Sequence, residues 1–481
     1  LREYQMYIDG RFIDNGSRKM MNVINPSTEE VVSRFPAGTA EDVDMAVKVA
    51  AAAQKDWARL APVTRAGYLK EIAALVRDNA EMLADTIAEE QGKTGALGEV
   101  IGMAENIEYV AEFARRYTGE IVPSDDTNEN ILTYKMPIGV AAGILPWNFP
   151  FYVLSRKLAP ALLTGCTIVI KPSSQTPNNA FEFAKLIDKS SLPKGVFNLV
   201  SGPGGVIGNA LAGHPQVGIV SVTGSVGAGI KIMEAASKNI TKVSLELGGK
   251  APAIVMADAD LDKAAAAIAA SRMKNNGQVC NCIERVYVQE SVADKFIEKI
   301  KALMSRYVCG DPRFEPDVNI GPLVSAAHLK EVDGMVKKAI ADGAECILGG
   351  GRDLRHEKGY FYQPTIFVGC RHKDAIMRDE IFGPVLPIST FKTLDEAIEK
   401  ANDSEYGLTS AVFTKDLDTM MRAANEIRFG ETYINTAHGE AYQGFHAGLR
   451  KSGIGGADGL HGVEEYLVSH TVYISYDTNK Q

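Results

Sequence analysis

Ile138–Lys171 runs IGVAAGILPWNFPFYVLSRKLAPALLTGCTIVIK. A short apolar run leads into Pro146-Trp-Asn-Phe-Pro150, then a longer apolar stretch, then a β-branched run that ends in a lysine. The part from Ile138 to Leu154 is apolar enough to imitate a membrane span. Pro146, Asn148 and Pro150 stand in its middle, where a spanning helix tolerates them poorly. The stretch reads instead as a buried strand (Val140–Leu145), a turn, a helix (Pro150–Leu163) and a second strand (Thr167–Lys171). The alternation continues with a helix at Asn178–Lys189, strands at Val196–Val200 and Val217–Val222, a helix at Ala228–Ser237 and a strand at Val243–Leu247. Strands separated by helices imply parallel βαβ units, and so an α/β fold of the Rossmann, nucleotide-binding kind.

Upstream, an entry strand at Met6–Asp9 precedes helices at Ala40–Arg59, Pro62–Gly92 and Gly95–Tyr117. Downstream, a second α/β region carries helix Asp260–Lys274, strand Arg285–Gln289, helices Ala326–Gly343 and Leu394–Asn402, and strand Thr432–Asn435. Glu120–Pro137 and Tyr466–Tyr476 are β-prone but lie outside both alternations, and are expected to join one sheet, across subunits. The expected organisation is a dinucleotide-binding domain (1–118 and 138–249), a catalytic domain (250–464) and a small β oligomerisation flap (119–137 and 465–481). The assembly would be a homodimer or homotetramer.

A chain of 481 residues holds two or three domains with ample core. Apolar residues make up 46% and charged residues 23%, as in globular proteins generally. The net charge of −9 and the lack of a basic block argue against a nucleic-acid or anionic-membrane partner. Six scattered cysteines fit a reducing compartment, so a cytoplasmic location is expected. The opening Leu1-Arg-Glu-Tyr shows no leader pattern, and without an initial Met the chain reads as beginning inside a longer one.

Chemistry concentrates in Lys274–Glu284, KNNGQVCNCIE. Loop formers precede Cys280, which suits an exposed nucleophilic thiolate; a core cysteine or half of a metal site is the alternative. No second Cys pair or close His pair completes a metal site, so none is expected. Glu246, inside an apolar stretch ended by two glycines, suits a general base or acid whose pKa burial has raised; a strand-end carboxylate bonded to backbone is the alternative. Asn148, between prolines and aromatics, offers a fixed amide donor for an oxyanion, or a helix cap before Pro150. Two glycine-rich turns follow buried strands, where a pyrophosphate finds free N–H groups. One is Gly202-x-Gly204-x-x-x-Gly208, a residue longer than the dinucleotide fingerprint, and the other is Val222–Gly229, with Ser225 able to bond phosphate. Lys171, at a strand end, can reach a ribose or a phosphate, or is simply a solvated lysine.

The motifs PWNFP, VTGS, LELGGK, NNGQVCN and EIFGPV, in this order, resemble those of the aldehyde dehydrogenase superfamily. The resemblance implies that Cys280 is the nucleophile, Glu246 the general base and Asn148 the oxyanion donor. It places Ile144, Trp147, Lys171, Ser174, Gly204, Gly208, Ser225, Leu247, Glu380 and Phe382 at the cofactor, NAD or NADP. Relatives that pass the acyl group to coenzyme A generally lack this Glu, so hydrolysis to the acid is expected. Many NAD-using relatives carry a Glu where this chain has Ser174, and NADP is therefore expected to serve at least as well as NAD.

For the substrate, Arg156 interrupts an apolar helical surface and shares a face with Tyr152. It suits a hydroxyl- or carboxylate-bearing aldehyde, or a structural ion pair. Glu440–Gly453 departs from the superfamily's usual PFGGxKxSG and resembles the lactaldehyde/glycolaldehyde branch, which implies Glu440 and His446 at the substrate. KPSSQTP is similar instead to succinate-semialdehyde dehydrogenases, which leaves a semialdehyde as the second expectation.

Overall fold

The computed structural model describes residues 1–477. Its centre is an eight-stranded sheet in which Lys242–Glu246, Val217–Thr223, Val140–Ile144, Thr167–Lys171 and Phe197–Leu199 run parallel in that spatial order. Tyr7–Ile8 and Arg11–Phe12 extend one edge, and the two-residue strand Gly453–Ile454 pairs antiparallel on the other. Chain from beyond residue 450 thus returns to the first sheet.

A seven-stranded sheet draws its members from 250–464, with Ala251–Val255 between Ile283–Gln289 and Thr409–Phe413. Apolar side chains from its central strands pack into hydrophobic clusters, although strand Ile283–Gln289 also buries Glu284 and Arg285. Among the described residues no helix is long and apolar enough to cross a membrane. Ile138–Leu154 is divided as its prolines demand, into strand Val140–Ile144 and helix Pro150–Thr164, which is buried almost throughout.

Two expectations need correction. Pro62–Gly92 is two helices, Pro62–Asp78 and Ala80–Gln91. Asn79 breaks it, its side-chain amide bonding the Leu75 carbonyl at 2.8 Å in competition with the helix ladder. The helix expected from Ala228 starts at Val226, because the Ser225 hydroxyl accepts the Ala228 N–H at 3.2 Å and caps it. The outlying β segments do join one sheet, already within the chain: Leu467–Ser475 pairs antiparallel along all of Glu129–Pro137, with Glu120–Val122 beyond it. Residues 478–481 of the expected flap lie outside the described residues.

Candidate active site

The cysteine loop is built on strain that its sequence is fitted to carry. Helix Leu261–Met273 ends in a turn where Asn275 and Asn276 adopt φ of 48° and 55° and Gly277 a φ of 77°. Asparagine enters the left-handed region more readily than most residues. At Gly277 only glycine fits, since a Cβ would lie 2.1 Å from the Gly383 carbonyl oxygen.

A buried ion cluster holds the loop. Arg272 donates to the Gly277 carbonyl and, at 3.0 Å, to that of Ile283. Glu284 pairs with Arg272 at 2.9 Å and Lys250 at 3.0 Å, and accepts the backbone N–H groups of Ile381 and Phe382. Three of the motifs are thereby tied to one carboxylate. Glu284→Gln leaves two buried cations uncompensated and is expected to cost about 3–5 kcal/mol of stability. A fall in thermal midpoint checks this.

Cys280 is partly exposed, whereas Cys282 is fully buried, and burial pushes its thiol up to about 12. Cys282 is a packing residue, its Sγ 2.9 Å from the Val279 carbonyl.

A cavity of about 510 Å³ brings together Cys280, Glu246, Asn148, Tyr152, Arg156, Glu440 and His446, which come from four distant parts of the sequence. Glu246 ends strand Lys242–Glu246, and its Oε2 accepts from Thr223 Oγ1 at 2.6 Å and Lys157 Nζ at 3.3 Å. Its Oε1 is buried with no protein partner, as an oxygen waiting for water would be. The expectation of a raised pKa is wrong. Burial does push it up, but the Lys157, Arg156 and His446 charges together outweigh burial and hold the carboxyl below its ordinary value. Asn148 is buried, its Nδ2 donating at 3.1 Å to the Gln278 carbonyl, two residues before Cys280. It does not cap the following helix, whose cap position is Phe149.

Arg156 is fully paired by charge. Its guanidinium bonds Glu440 at 2.6 Å and also Asp458, and lies 4.8 Å from the Tyr152 ring centroid. Burial pushes Glu440 up, but Arg156 and His446 carry it down to about 2, so it stands ionised in the cavity wall. Asn281 Nδ2 also donates to it. His446 is buried and bonds Glu431 and, at 3.2 Å, Glu440. Burial disfavours its charge, but Glu440, the Cys280 side chain and Glu431 raise its pKa well above the ordinary value.

The expected cofactor residues gather at the carboxyl ends of the eight-stranded sheet, where ligands bind in such folds. Ile144 and Lys171 end adjacent strands. Lys171 Nζ donates to the Pro172 carbonyl at 2.8 Å, and burial lowers its pKa to about 8. Ser174 Oγ reaches the Gly202 carbonyl at 3.2 Å, joining its loop to the glycine turn. Helices Gly204–Ala212 and Val226–Ala236 start beside this edge and pack together. A Cβ at Gly204, Gly205 or Gly227 would meet nothing, so these N-terminal turns are open. Gly208 lies near Ile144, and Leu247 packs on Gly229 so closely that a Cβ there would come within 2.7 Å. Exposed Val206, Ile230 and Met233 offer apolar surface on the same two helices. Glu380 Oε1 accepts the Gly249 N–H at 2.8 Å, and burial raises its carboxyl to about 8. Phe382, at φ 56°, packs edge-on against Trp147, with ring centroids 5.3 Å apart. Open helix N-termini, a lysine and flanking apolar surface fit a dinucleotide.

Sequence reasoning missed Lys157, Thr223, Asn281 and Asp458. Lys157 left a signal as a second consecutive cation on an otherwise apolar helix, and Thr223 and Asn281 stand inside the VTGS and NNGQVCN motifs without having been given a role. Asp458 acts only through its tertiary contact with Arg156.

A cradle for a dinucleotide beside a thiol, a carboxylate and an amide donor defines an oxidoreductase that works through a covalent cysteine adduct. Residues 12–472 match the aldehyde dehydrogenase family. The chain is 52% identical over 474 residues to lactaldehyde dehydrogenase of Escherichia coli (strain K12), 98% of each chain being covered. The crystal structure of lactaldehyde dehydrogenase from Escherichia coli superposes with a TM-score of 0.97 over 98% of this chain and 99% of that one. A structure of 3,6-anhydro-L-galactose dehydrogenase in complex with NAP is 42% identical, with a TM-score of 0.96 over 98% of this chain and 100% of that one. Betaine aldehyde dehydrogenase from Staphylococcus aureus in complex with NAD+ is 35% identical, with a TM-score of 0.96 over 99% and 96%. The chain belongs to the aldehyde dehydrogenase family, and is an enzyme that oxidises aldehydes with NAD or NADP.

Proposed function

We propose that the enzyme oxidises a small 2-hydroxyaldehyde, lactaldehyde or glycolaldehyde, to its acid. The observation that carries this is the wall around Arg156. Two carboxylates, Glu440 and Asp458, already neutralise the guanidinium, so it is not a free receptor for a carboxylate substrate. Ionised Glu440 instead offers an acceptor to a hydroxyl, and His446 a donor. A wall built to bond a hydroxyl rejects analogues that lack one, because its buried polar groups are then left unpaired. A semialdehyde acid would bring a further anion toward Glu440, Asp458 and Glu246.

In this reading Cys280 adds as the thiolate to the aldehyde carbon, the C=O π pair moving to oxygen, and Asn148 Nδ2 with the Cys280 backbone N–H receives the oxyanion. NAD or NADP, when bound, supplies the hydride acceptor. A thioester remains on Cys280. Glu246 Oε1 then takes a proton from the water that attacks the thioester carbon; the C–S bond breaks, Cys280 leaves as the thiolate and the acid is released. Ile144, Trp147, Lys171, Ser174, Gly204, Gly208, Ser225, Leu247, Glu380 and Phe382 would hold the cofactor. With Ser174 in place of a carboxylate, nothing at that position repels a 2′-phosphate, and NADP would serve at least as well as NAD.

The division into a dinucleotide-binding domain (1–118, 138–249), a catalytic domain (250–464) and a flap belongs to the same proposal, as do a cytoplasmic location and a homodimer or homotetramer. Ile121 (79% exposed), Tyr134 and Tyr473 leave the flap with apolar surface that a second copy would cover. Sedimentation as a monomer would remove the oligomer.

Initial rates with lactaldehyde, glycolaldehyde and succinate semialdehyde, each with NAD and with NADP, test the whole. The hydroxyaldehydes should show the higher kcat/KM, with NADP at least equal to NAD. A preference for succinate semialdehyde would overturn the substrate, and a much lower KM for NAD the cofactor reading.

A further inference from the structure

Lys93 and Glu99 are absent from the chemistry above, yet both are buried in the wall of the same cavity. Lys93 Nζ donates to the Glu99 carboxylate and to the backbone carbonyl of Asn148. It also lies 3.4 Å from the centroid of the Phe149 ring. Asn275 Nδ2 donates to the same carbonyl at 3.2 Å. The other Glu99 oxygen accepts the N–H groups of Phe151 (2.9 Å) and Tyr152 (3.1 Å), which open helix Pro150–Thr164. Such groups have no partner inside a helix, and Phe149 at the cap position has no side-chain acceptor to give them.

A cap alone would need only Glu99, whose charge the helix dipole also favours. The buried ammonium is the unexplained part, since taking it out of water is costly unless it is paired and bonded. Its second bond goes to the peptide of Asn148, whose side-chain amide donates to the Gln278 carbonyl of the Cys280 loop. Burial brings Lys93 down to about 8, with Glu99 working against that, so the cation persists at neutral pH.

The geometry points to Lys93 and Glu99 as positioning residues. Together they clamp the Asn148 backbone and the start of the next helix, so the Asn148 amide is aimed before substrate arrives. This rests on reading Asn148 as the oxyanion donor. Preorganisation is what gives such a donor its effect, and a displacement of about 1 Å costs about 10²-fold in rate.

The test is a double-mutant cycle on the full-length enzyme, read as the single-turnover rate of cofactor reduction at saturating lactaldehyde and NADP. Lys93→Met should lose about 10- to 100-fold, with cofactor affinity unchanged. In an Asn148→Ala background it should cost little more, because the clamp then has nothing to aim. A Lys93→Met rate within about twofold of the parent, or losses that multiply in the double variant, would overturn the clamp. Should Lys93→Met fail to fold, Glu99→Gln releases the same lysine and goes through the same cycle. A parental rate for Asn148→Ala would sink the oxyanion reading itself, whereas a slow Asn148→Ala beside an unaffected Lys93→Met removes only the clamp.

Discussion

Cys280→Ala is expected to lower aldehyde oxidation by roughly 10⁴-fold or more while leaving cofactor affinity intact. Among the described residues Cys280 is the only cysteine that lines the cavity, and it is not part of the helices that frame the cofactor cradle. Nothing nearby can replace it: Cys282 is buried, its thiol is raised to about 12, and its Sγ is engaged with backbone carbonyls. Removal of one sulfur also leaves the Arg272–Glu284–Lys250 cluster untouched, so the loop keeps its shape. Kinetics together with a fluorescence titration of NADPH check both halves. Retained turnover in this variant would end the covalent account.

Glu246→Gln should separate the two halves of the reaction. The first turnover needs the sulfur and the oxyanion donors, and it should give a burst of reduced cofactor equal to the number of sites. Steady-state turnover should then fall by about 10²- to 10⁴-fold, the range a general base supplies. Because Lys157, Arg156 and His446 hold Glu246 below its ordinary pKa, it is ionised throughout the neutral range. Deacylation by the parent enzyme should therefore be flat in pH there, its acid limb lying below the ordinary carboxylate value. Stopped-flow traces at several pH values decide it.

The contrast between Glu246 and Cys280 shows what the sequence could carry. Cys280, Asn148 and Glu246 stand in short contiguous motifs, and their residue types alone suggest their chemistry. The alternation of strand and helix likewise displayed the fold, because burial on both faces of a parallel sheet writes apolar runs into the chain. The charge state of Glu246 was not legible. It depends on Lys157 and Arg156, which lie on a different element, and on His446, some 200 residues away. Burial by itself pointed in the wrong direction. Arg156 shows the same limit. Its place on an apolar face was visible, but its neutralisation by Glu440 and Asp458 is a product of folding. The break at Asn79 escaped because a single asparagine inside an Ala- and Leu-rich pattern is tolerated in many helices. Only its bond to the Leu75 carbonyl shows that here it is a stop.

The most direct measurement is acid quench of Glu246→Gln during the burst with lactaldehyde and NADP, followed by peptide mass mapping. The account predicts an acyl group on the Cys280 peptide, in amount equal to the cofactor reduced. Reduced cofactor with an unmodified Cys280, or an acyl group on any other residue, would contradict it.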